Sequence, residues 1–187
     1  QNLIPWFTDL LVLNSSLVLF RPWTFITNIF LHGSLGHLLL NGFALALFGS
    51  LLENIIGSRK FLLTFFLSGL AANIPAVFFY NSTLGASGAI FGVLGVLTML
   101  RPTMTIWVSY IPMPMWVAAI VWALQDTFGI FIPSNTANLA HLGGLFFGLI
   151  FGYFYFRKEK PLKIRKKKDG LMITEEELDD WERRYFR

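Results

Sequence analysis

The sequence predicts an all-α membrane protein, a polytopic helical bundle, and three observations lead to that class. Hydrophobic residues make up 55% of the 187 residues, and the mean hydropathy is +0.58. Charged residues account for only 14%, about half of their share in a typical soluble domain. Most of those charges lie beyond residue 156, so the rest of the chain contains long apolar stretches. Such stretches are typical of membrane-spanning helices.

Five apolar stretches are long enough to be spans. A helix needs about 20 residues to cross about 30 Å of hydrocarbon. The fourth stretch is the least regular, because Pro112 and Pro114 favour the start or a kink of a helix. The predicted spans lie at about 37–56, 61–80, 85–100, 113–131 and 138–156.

The few charges of the apolar part orient these spans. Arg59 and Lys60 follow the first span, Arg101 follows the third, and a dense basic cluster follows the last. By the positive-inside rule these ends face the cytoplasm. Ser87 then lies near the outer entrance of its helix. We expect a multi-pass protein of a prokaryotic plasma membrane.

The chain divides into three segments by composition. Residues 1–36, with several Trp, Phe and Pro residues, predict an outer interfacial loop or the remnant of a first helix. Residues 37–156 form the membrane core. Residues 157–187 form a cytoplasmic tail, in which 157–168 holds eight basic residues and one acidic residue. This stretch suits either contact with anionic lipids or a stop-transfer flank. A capping box from Thr174 to Glu177 predicts a short helix over 174–187.

Composition also excludes several classes of function. The sequence has no cysteine, which rules out disulfides, thiolate zinc sites and a cysteine nucleophile. The net charge of +4 comes from the tail beside the membrane, so we expect no nucleic-acid partner. No cofactor is expected.

Ionisable groups are rare in lipid, so histidines in or beside apolar spans indicate function. The three histidines are His32, His37 and His141, and the predicted topology puts all of them on the side of Ser87. A serine hydroxyl becomes a strong nucleophile when a neutral imidazole takes its proton. Asn41 follows His37 by four residues and shares its helical face.

Glycine spacing predicts how the serine and a histidine meet. Gly88 and Gly92 follow Ser87, and Gly144 and Gly148 follow His141. Small residues four positions apart let helices approach closely in a membrane. The approach of these two helices would bring Ser87 and His141 within hydrogen-bond distance.

The same side of the membrane offers donors for an oxyanion. His37, Asn41 and the backbone N–H of Ser87 could supply them. Glu53 falls at the cytoplasmic end of its span, and the sequence does not fix the depth of Asp126. We therefore expect a Ser/His dyad without an acidic third member.

Each feature alone has a plainer interpretation. GASG could be a packing sequence, and His141 or Asn41 could be an interhelical contact. A zinc site on the three histidines is a further alternative, but the HExxH pattern is absent and no carboxylate is placed to act as base. A soluble hydrolase elbow of the G-x-S-x-G type requires a strand–turn–helix unit followed by a later acid, and Ser87 does not lie in that context.

Three motifs in order resemble the rhomboid intramembrane serine proteases over residues 23–156. They are His-x4-His-x3-Asn in HGSLGHLLLN, Gly-x-Ser-Gly in GASGAIFG, and Ala-His-x-Gly-Gly in AHLGGLFFG. The resemblance implies Ser87 as nucleophile, His141 as general base and acid, and an oxyanion hole that includes His37 and Asn41. It also implies that Phe91 packs against the catalytic histidine and that His32 packs the outer loop.

By this resemblance, the substrates are transmembrane segments of other proteins, cut near the outer membrane face in regulated intramembrane proteolysis. The alternative is a catalytically inactive relative that binds membrane proteins as an adaptor. Two departures stand out. The family's Trp-Arg pair is Trp23-Thr24 here, with Arg21 upstream, which leaves the usual pairing with a glutamate such as Glu53 unsupported. The family core also has six helices, so we expect the first to lie upstream or to be reduced to residues 1–19.

Overall fold

The computed structural model describes residues 5–108, 110–132, 134 and 136–156. This part of the chain is mostly helical, and it also contains two short antiparallel ribbons, so the prediction of an all-α protein needs that correction. The helices are α1 Pro5–Leu11, α2 Thr24–Thr27, α3 Leu35–Ala44, α4 Ser50–Ile56, α5 Ser58–Phe79, α6 Ser87–Leu100, α7 Met115–Gly129 and α8 Asn138–Phe156. The strands are β1 Leu13–Asn14, β2 Ser82–Thr83, β3 Thr105–Val108 and β4 Ile111–Pro114.

A helix occupies each of the five stretches predicted to span the membrane. The first consists of α3, a five-residue π turn at Leu45–Gly49, and α4, which together run from Leu35 to Ile56. This helix and α5, with 22 residues each, are long and apolar enough to cross a bilayer. Helices α6 and α8 are apolar but shorter by the same measure. The crossing of α6, α7 and α8 stays a prediction.

Helix α6 forms the centre of the bundle. Ten of its residues between Gly88 and Thr98 are buried, and its main neighbours are α8 and α5. A helix that is apolar on every side belongs in the interior, where each side can be covered by another helix. The most buried large residues of the core include Val93, Val96 and Leu97 of this helix.

The four predicted glycines lie where α6 and α8 touch. A Cβ atom at Gly144 would overlap the carbonyl oxygen of Gly88, and one at Gly148 would overlap that of Gly92. On its other side Gly92 faces the side chain of Ser68 in α5. The backbones are therefore in direct contact, which only glycine allows at these positions.

The segment before α3 is held together by side-chain hydrogen bonds to backbone carbonyls. Arg21 donates from Nη1 to the carbonyl of Asp9 at 2.9 Å, and Trp23 donates from Nε1 to that of Leu10 at 3.0 Å. Arg21 thus holds α1 against the stretch before α2, a role that differs from a pairing with Glu53.

Strand pairing and buried hydrogen bonds join this segment to the rest of the bundle. Strand β1 pairs with β2, with Leu13 opposite Thr83. The buried amides of Asn28 and Asn73 bond to each other, at 2.9 Å from Asn28 Nδ2 to Asn73 Oδ1, and the carbonyl of Asn28 accepts from the N–H of Gly85 at 2.9 Å. Buried polar groups need such partners, so these bonds fix the turn that precedes Ser87.

The ribbon of β3 and β4 connects α6 to α7 and was not predicted. Pro112 and Pro114 lie in β4, so the start predicted at about residue 113 was too early. Neither proline is inside α7, as expected, and Pro114 is the residue that precedes this helix. Proline lacks the N–H that a ladder needs and is tolerated only on edge strands, and both strands of a two-stranded ribbon are edges. Helix α7 begins immediately afterwards, at Met115.

The predictions for the tail, namely its basic lipid contact and its helix over 174–187, lie outside the described residues.

We predict that Gly148→Ala destabilises the bundle and that Gly42→Ala does not. A methyl group at residue 148 meets the Gly92 backbone, whereas one at Gly42, on exposed α3, meets nothing within 4 Å. Overpacking lowers the free energy of unfolding by about 1–3 kcal/mol. The control, Gly42→Ala, raises it by up to about 1 kcal/mol, because alanine favours the helix over glycine. Thermal unfolding in detergent micelles measures both variants. Equal stability of Gly148→Ala and the parent would show that α6 and α8 lie farther apart.

Candidate active site

Ser87 is the first residue of α6, directly after a turn that only glycine can make easily. Gly85 has a φ of +121°, in the region that side chains with a Cβ disfavour. Because the N–H of Gly85 is also held by Asn28, the position of Ser87 is set by the backbone before it as well as by its own helix.

The structure places the Ser87 hydroxyl beside His141 of α8. The distance from Ser87 Oγ to His141 Nε2 is 2.8 Å, which is within hydrogen-bonding range. The two residues are 54 positions apart in the chain, and the glycine contact of α6 with α8 brings them together. A nitrogen at this distance can accept the hydroxyl proton.

The other ring nitrogen of His141 faces a carboxylate. Asp126 of α7 lies with Oδ1 3.0 Å from His141 Nδ1, and the two side chains are only 12% and 8% exposed for His141 and Asp126. The expectation that no acid lies on this face is therefore wrong. The sequence did not fix the depth of Asp126, because the prolines before α7 left the start of that helix undefined.

Phe91 covers the face of the same imidazole. Its ring lies parallel to that of His141, with 4.4 Å between centroids and 9° between planes. Phe91 follows Ser87 by one helical turn and so projects from the same side of α6. The ring of His141 is thus contacted on one face and at both nitrogens.

His37 and Asn41 approach the serine from α3. The Ser34 hydroxyl caps this helix by accepting from the N–H of His37 at 3.1 Å. A Cβ atom at Gly85 would lie 2.9 Å from His37 Nε2, so the imidazole packs onto the turn before Ser87. Asn41 donates one amide hydrogen to the His37 carbonyl at 2.9 Å and keeps a second for another acceptor.

His32 lies in the loop before α3 and packs edge-on against His37, with 5.0 Å between ring centroids. Burial lowers the pKa of His32, and a backbone hydrogen bond to Phe30 opposes that effect. The neutral ring is favoured, as suits a packing residue. Within the described ranges, no three histidine, aspartate or glutamate side chains are grouped to hold a metal ion.

These polar groups open into one cavity of about 910 Å³. Its lining includes His37, Asn41, Ser87 and His141, and an apolar wall formed by residues such as Phe48 and Trp122. The rings of Phe48 and Trp122 meet edge to face, 5.8 Å apart, where the π turn approaches α7. The cavity combines a hydroxyl, a base and hydrogen-bond donors beside a space that could receive a chain segment.

A family model described as the Rhomboid domain matches residues 20–158. The chain belongs to the rhomboid family. Members of this family are integral membrane proteins, and the match includes the described helices from α2 to α8.

Curated relatives agree with this assignment. The chain is 32% identical over 144 residues to "Putative rhomboid protease YdcA" of Bacillus subtilis, covering 74% of this chain and 69% of that protein. It is 35% identical over 133 residues to "Rhomboid protease GluP" of the same organism, covering 67% and 24%. The match to "RHOMBOID-like protein 4" of Arabidopsis thaliana is 30% over 133 residues, covering 70% and 33%. The chain thus spans about a third of that rhomboid relative.

We predict that Gly85→Ala slows the reaction of Ser87 with a fluorophosphonate probe, because the new methyl group forces an unfavourable φ and displaces His37. A misplacement of about 1 Å costs about 10²-fold in rate. Gly36→Ala is the matched control, since its Cβ would approach nothing closer than 4.0 Å. Labelling rates are measured on both folded variants in detergent. Parent-like labelling of Gly85→Ala would contradict the tight contact with His37.

Proposed function

We propose that this rhomboid protein is an intramembrane serine endopeptidase, which hydrolyses peptide bonds in or near transmembrane segments of other membrane proteins. The observation that carries the proposal is the 2.8 Å contact between Ser87 Oγ and His141 Nε2 at the wall of a cavity that also contains His37 and Asn41. Two relatives that are named as rhomboid proteases support it.

The chemistry follows from the positions of these groups. His141 Nε2 takes the proton from Ser87 Oγ as the oxygen attacks the scissile carbonyl carbon. The resulting oxyanion is stabilised by donors from His37, Asn41 and the Ser87 backbone N–H. His141 then passes the proton to the departing amine, which leaves an acyl-enzyme. Water, deprotonated by the same nitrogen, hydrolyses this ester and restores the hydroxyl.

The length of α6 supports a site inside the bilayer. Its 14 residues rise about 21 Å, less than the roughly 30 Å of hydrocarbon. If Leu100 lies near the cytoplasmic surface, as Arg101 indicates, Ser87 is recessed below the outer surface. A substrate helix is protected by its own hydrogen bonds, so the segment that enters must unwind easily.

The proposed topology follows from charge. Arg59, Lys60 and Arg101 mark cytoplasmic ends, and the basic stretch 157–168 places the tail in the cytoplasm, beside anionic lipid. We propose the plasma membrane of a prokaryote as its location, since the chain covers more of Bacillus YdcA than of the plant relative.

The decisive test is cleavage of a model transmembrane substrate in proteoliposomes. We expect Ser87→Ala and His141→Ala to lose at least about 10³-fold in rate, while Ser58→Ala, at the exposed start of α5, cleaves normally. A chelator should have no effect. An inactive parent protein would favour the alternative of a non-catalytic rhomboid-like adaptor, and loss of activity with the chelator would favour a metal site.

The cavity also predicts how a substrate enters. We propose that α7 and the loop at 133–138 form a lateral gate and lid, because Phe48 of the π turn and Trp122 of α7 meet edge to face in the wall of the cavity. Since the chain has no cysteine, Phe48→Cys with Trp122→Cys allows a specific cross-link by a bifunctional thiol reagent. We expect cross-linking to abolish cleavage of a transmembrane substrate. Each single cysteine variant, treated with the same reagent, is the control, and full activity after complete cross-linking would rule out this gate.

A further inference from the structure

We infer that Asp126 positions His141 for proton transfer, and so adds a third side chain to the proposed dyad. This inference rests on the proposed protease function, and it departs from the expectation of a dyad without an acid. It is carried by the contact of Asp126 Oδ1 with His141 Nδ1 at 3.0 Å, on the side of the ring opposite to Ser87.

The two contacts of the imidazole define its tautomer. A carboxylate accepts hydrogen bonds and cannot donate one, so His141 must carry its hydrogen on Nδ1 to bond with Asp126. The lone pair of Nε2 then points at the Ser87 hydroxyl 2.8 Å away. The opposite tautomer would direct an N–H at the serine and could not accept its proton.

Close packing about one helical turn away from Asp126 and His141 holds these two residues opposite each other. A Cβ atom at Gly129, three residues after Asp126, would lie 2.8 Å from the amide atoms of Asn138. Asn138 in turn precedes His141 by three residues. The next backbone N–H, of Leu139, donates to the hydroxyl of Tyr80 at 3.1 Å. The end of α7 is thus seated on the start of α8 beside the contact between their side chains.

The setting of Asp126 also argues for a function beyond stability. The side chain is 8% exposed on a helix that is otherwise largely apolar. A carboxylate inside a membrane protein is costly, and it usually marks a working site. Stability alone does not explain such a pair, because replacement of both partners of a buried ion pair by well-packed apolar residues is often neutral or stabilising.

The proton balance is simple. When the Ser87 proton moves to Nε2, the ring becomes an imidazolium with hydrogens on both nitrogens. The Asp126 carboxylate stabilises that cation across the Nδ1–H bond. Once Nε2 has released the proton to the leaving amine, the ring returns to its first tautomer, still aligned by the carboxylate.

The test compares Asp126→Asn with Thr127→Ala in full-length protein. Thr127 is the exposed neighbour, whose hydroxyl donates to the carbonyl of Ala123 in the same helix. We expect Asp126→Asn to lower kcat by at least about 10²-fold, with KM and thermal stability unchanged; the same exchange in a soluble triad costs about 10⁴-fold. Thr127→Ala should match the parent, and Asp126→Glu should recover part of kcat.

A spectroscopic measurement separates positioning from a merely structural role. In protein with ¹⁵N-labelled histidine, His141 should be protonated on Nδ1 in the parent and lose that preference in Asp126→Asn. An unchanged tautomer, or a kcat within about twofold of the parent, would overturn the inference. So would a loss of activity that follows a loss of thermal stability.

Failure of the inference and failure of the proposed function are distinguishable. If Ser87→Ala and His141→Ala abolish cleavage while Asp126→Asn remains active, only the role of Asp126 is wrong. If the parent cleaves no substrate, the protease proposal fails, and the tautomer of His141 still decides whether Asp126 orients the ring.

Discussion

The backbone contact between α6 and α8 is the constraint on which the candidate site depends. At Gly88 and Gly144, and again at Gly92 and Gly148, the two helices approach so closely that a single methyl group would separate them. Ser87 and His141 precede Gly88 and Gly144 in their helices, so the separation of the two helix axes sets the distance between the two side chains. In lipid, where apolar burial gives little drive for helices to associate, this close packing is a main source of stability.

A second set of bonds fixes the serine from outside its helix. Asn28 bonds through its side chain to Asn73 of α5 and through its carbonyl to Gly85. The segment before α3 therefore supports Ser87 in two ways, since β1 also pairs with β2 just before the same turn. The surface loop and the buried site are parts of one hydrogen-bonded unit.

The sequence predicted the helices well and the irregular parts poorly. The length of the apolar stretches alone located α5 and α8, because a stretch that spans a membrane must satisfy its backbone hydrogen bonds internally, as a helix does. The ribbon β3–β4 was missed, since its strands have four residues each and its prolines were interpreted as a helix start. The topology predicted from the charges placed Ser87 and His37 on one side, and helical spacing placed Asn41 beside His37; all three line the cavity. Asp126 was not assigned, because its contact depends on where α7 begins, and the backbone of the ribbon decides that. The catalytic roles themselves remain predictions.

Helix α7 carries two residues, one turn apart, that contact different parts of the candidate site. Trp122 belongs to the apolar wall of the cavity, and Asp126 reaches the imidazole. Because a helical turn is stiff, an outward tilt of α7 at Trp122 also moves the carboxylate of Asp126. If α7 opens as the gate proposed above and Asp126 orients His141 as inferred, the entrance widens and the base loses its alignment in one motion. Such an enzyme would be inactive while its entrance is open. It would become active only after α7 returns to its closed position around the bound segment.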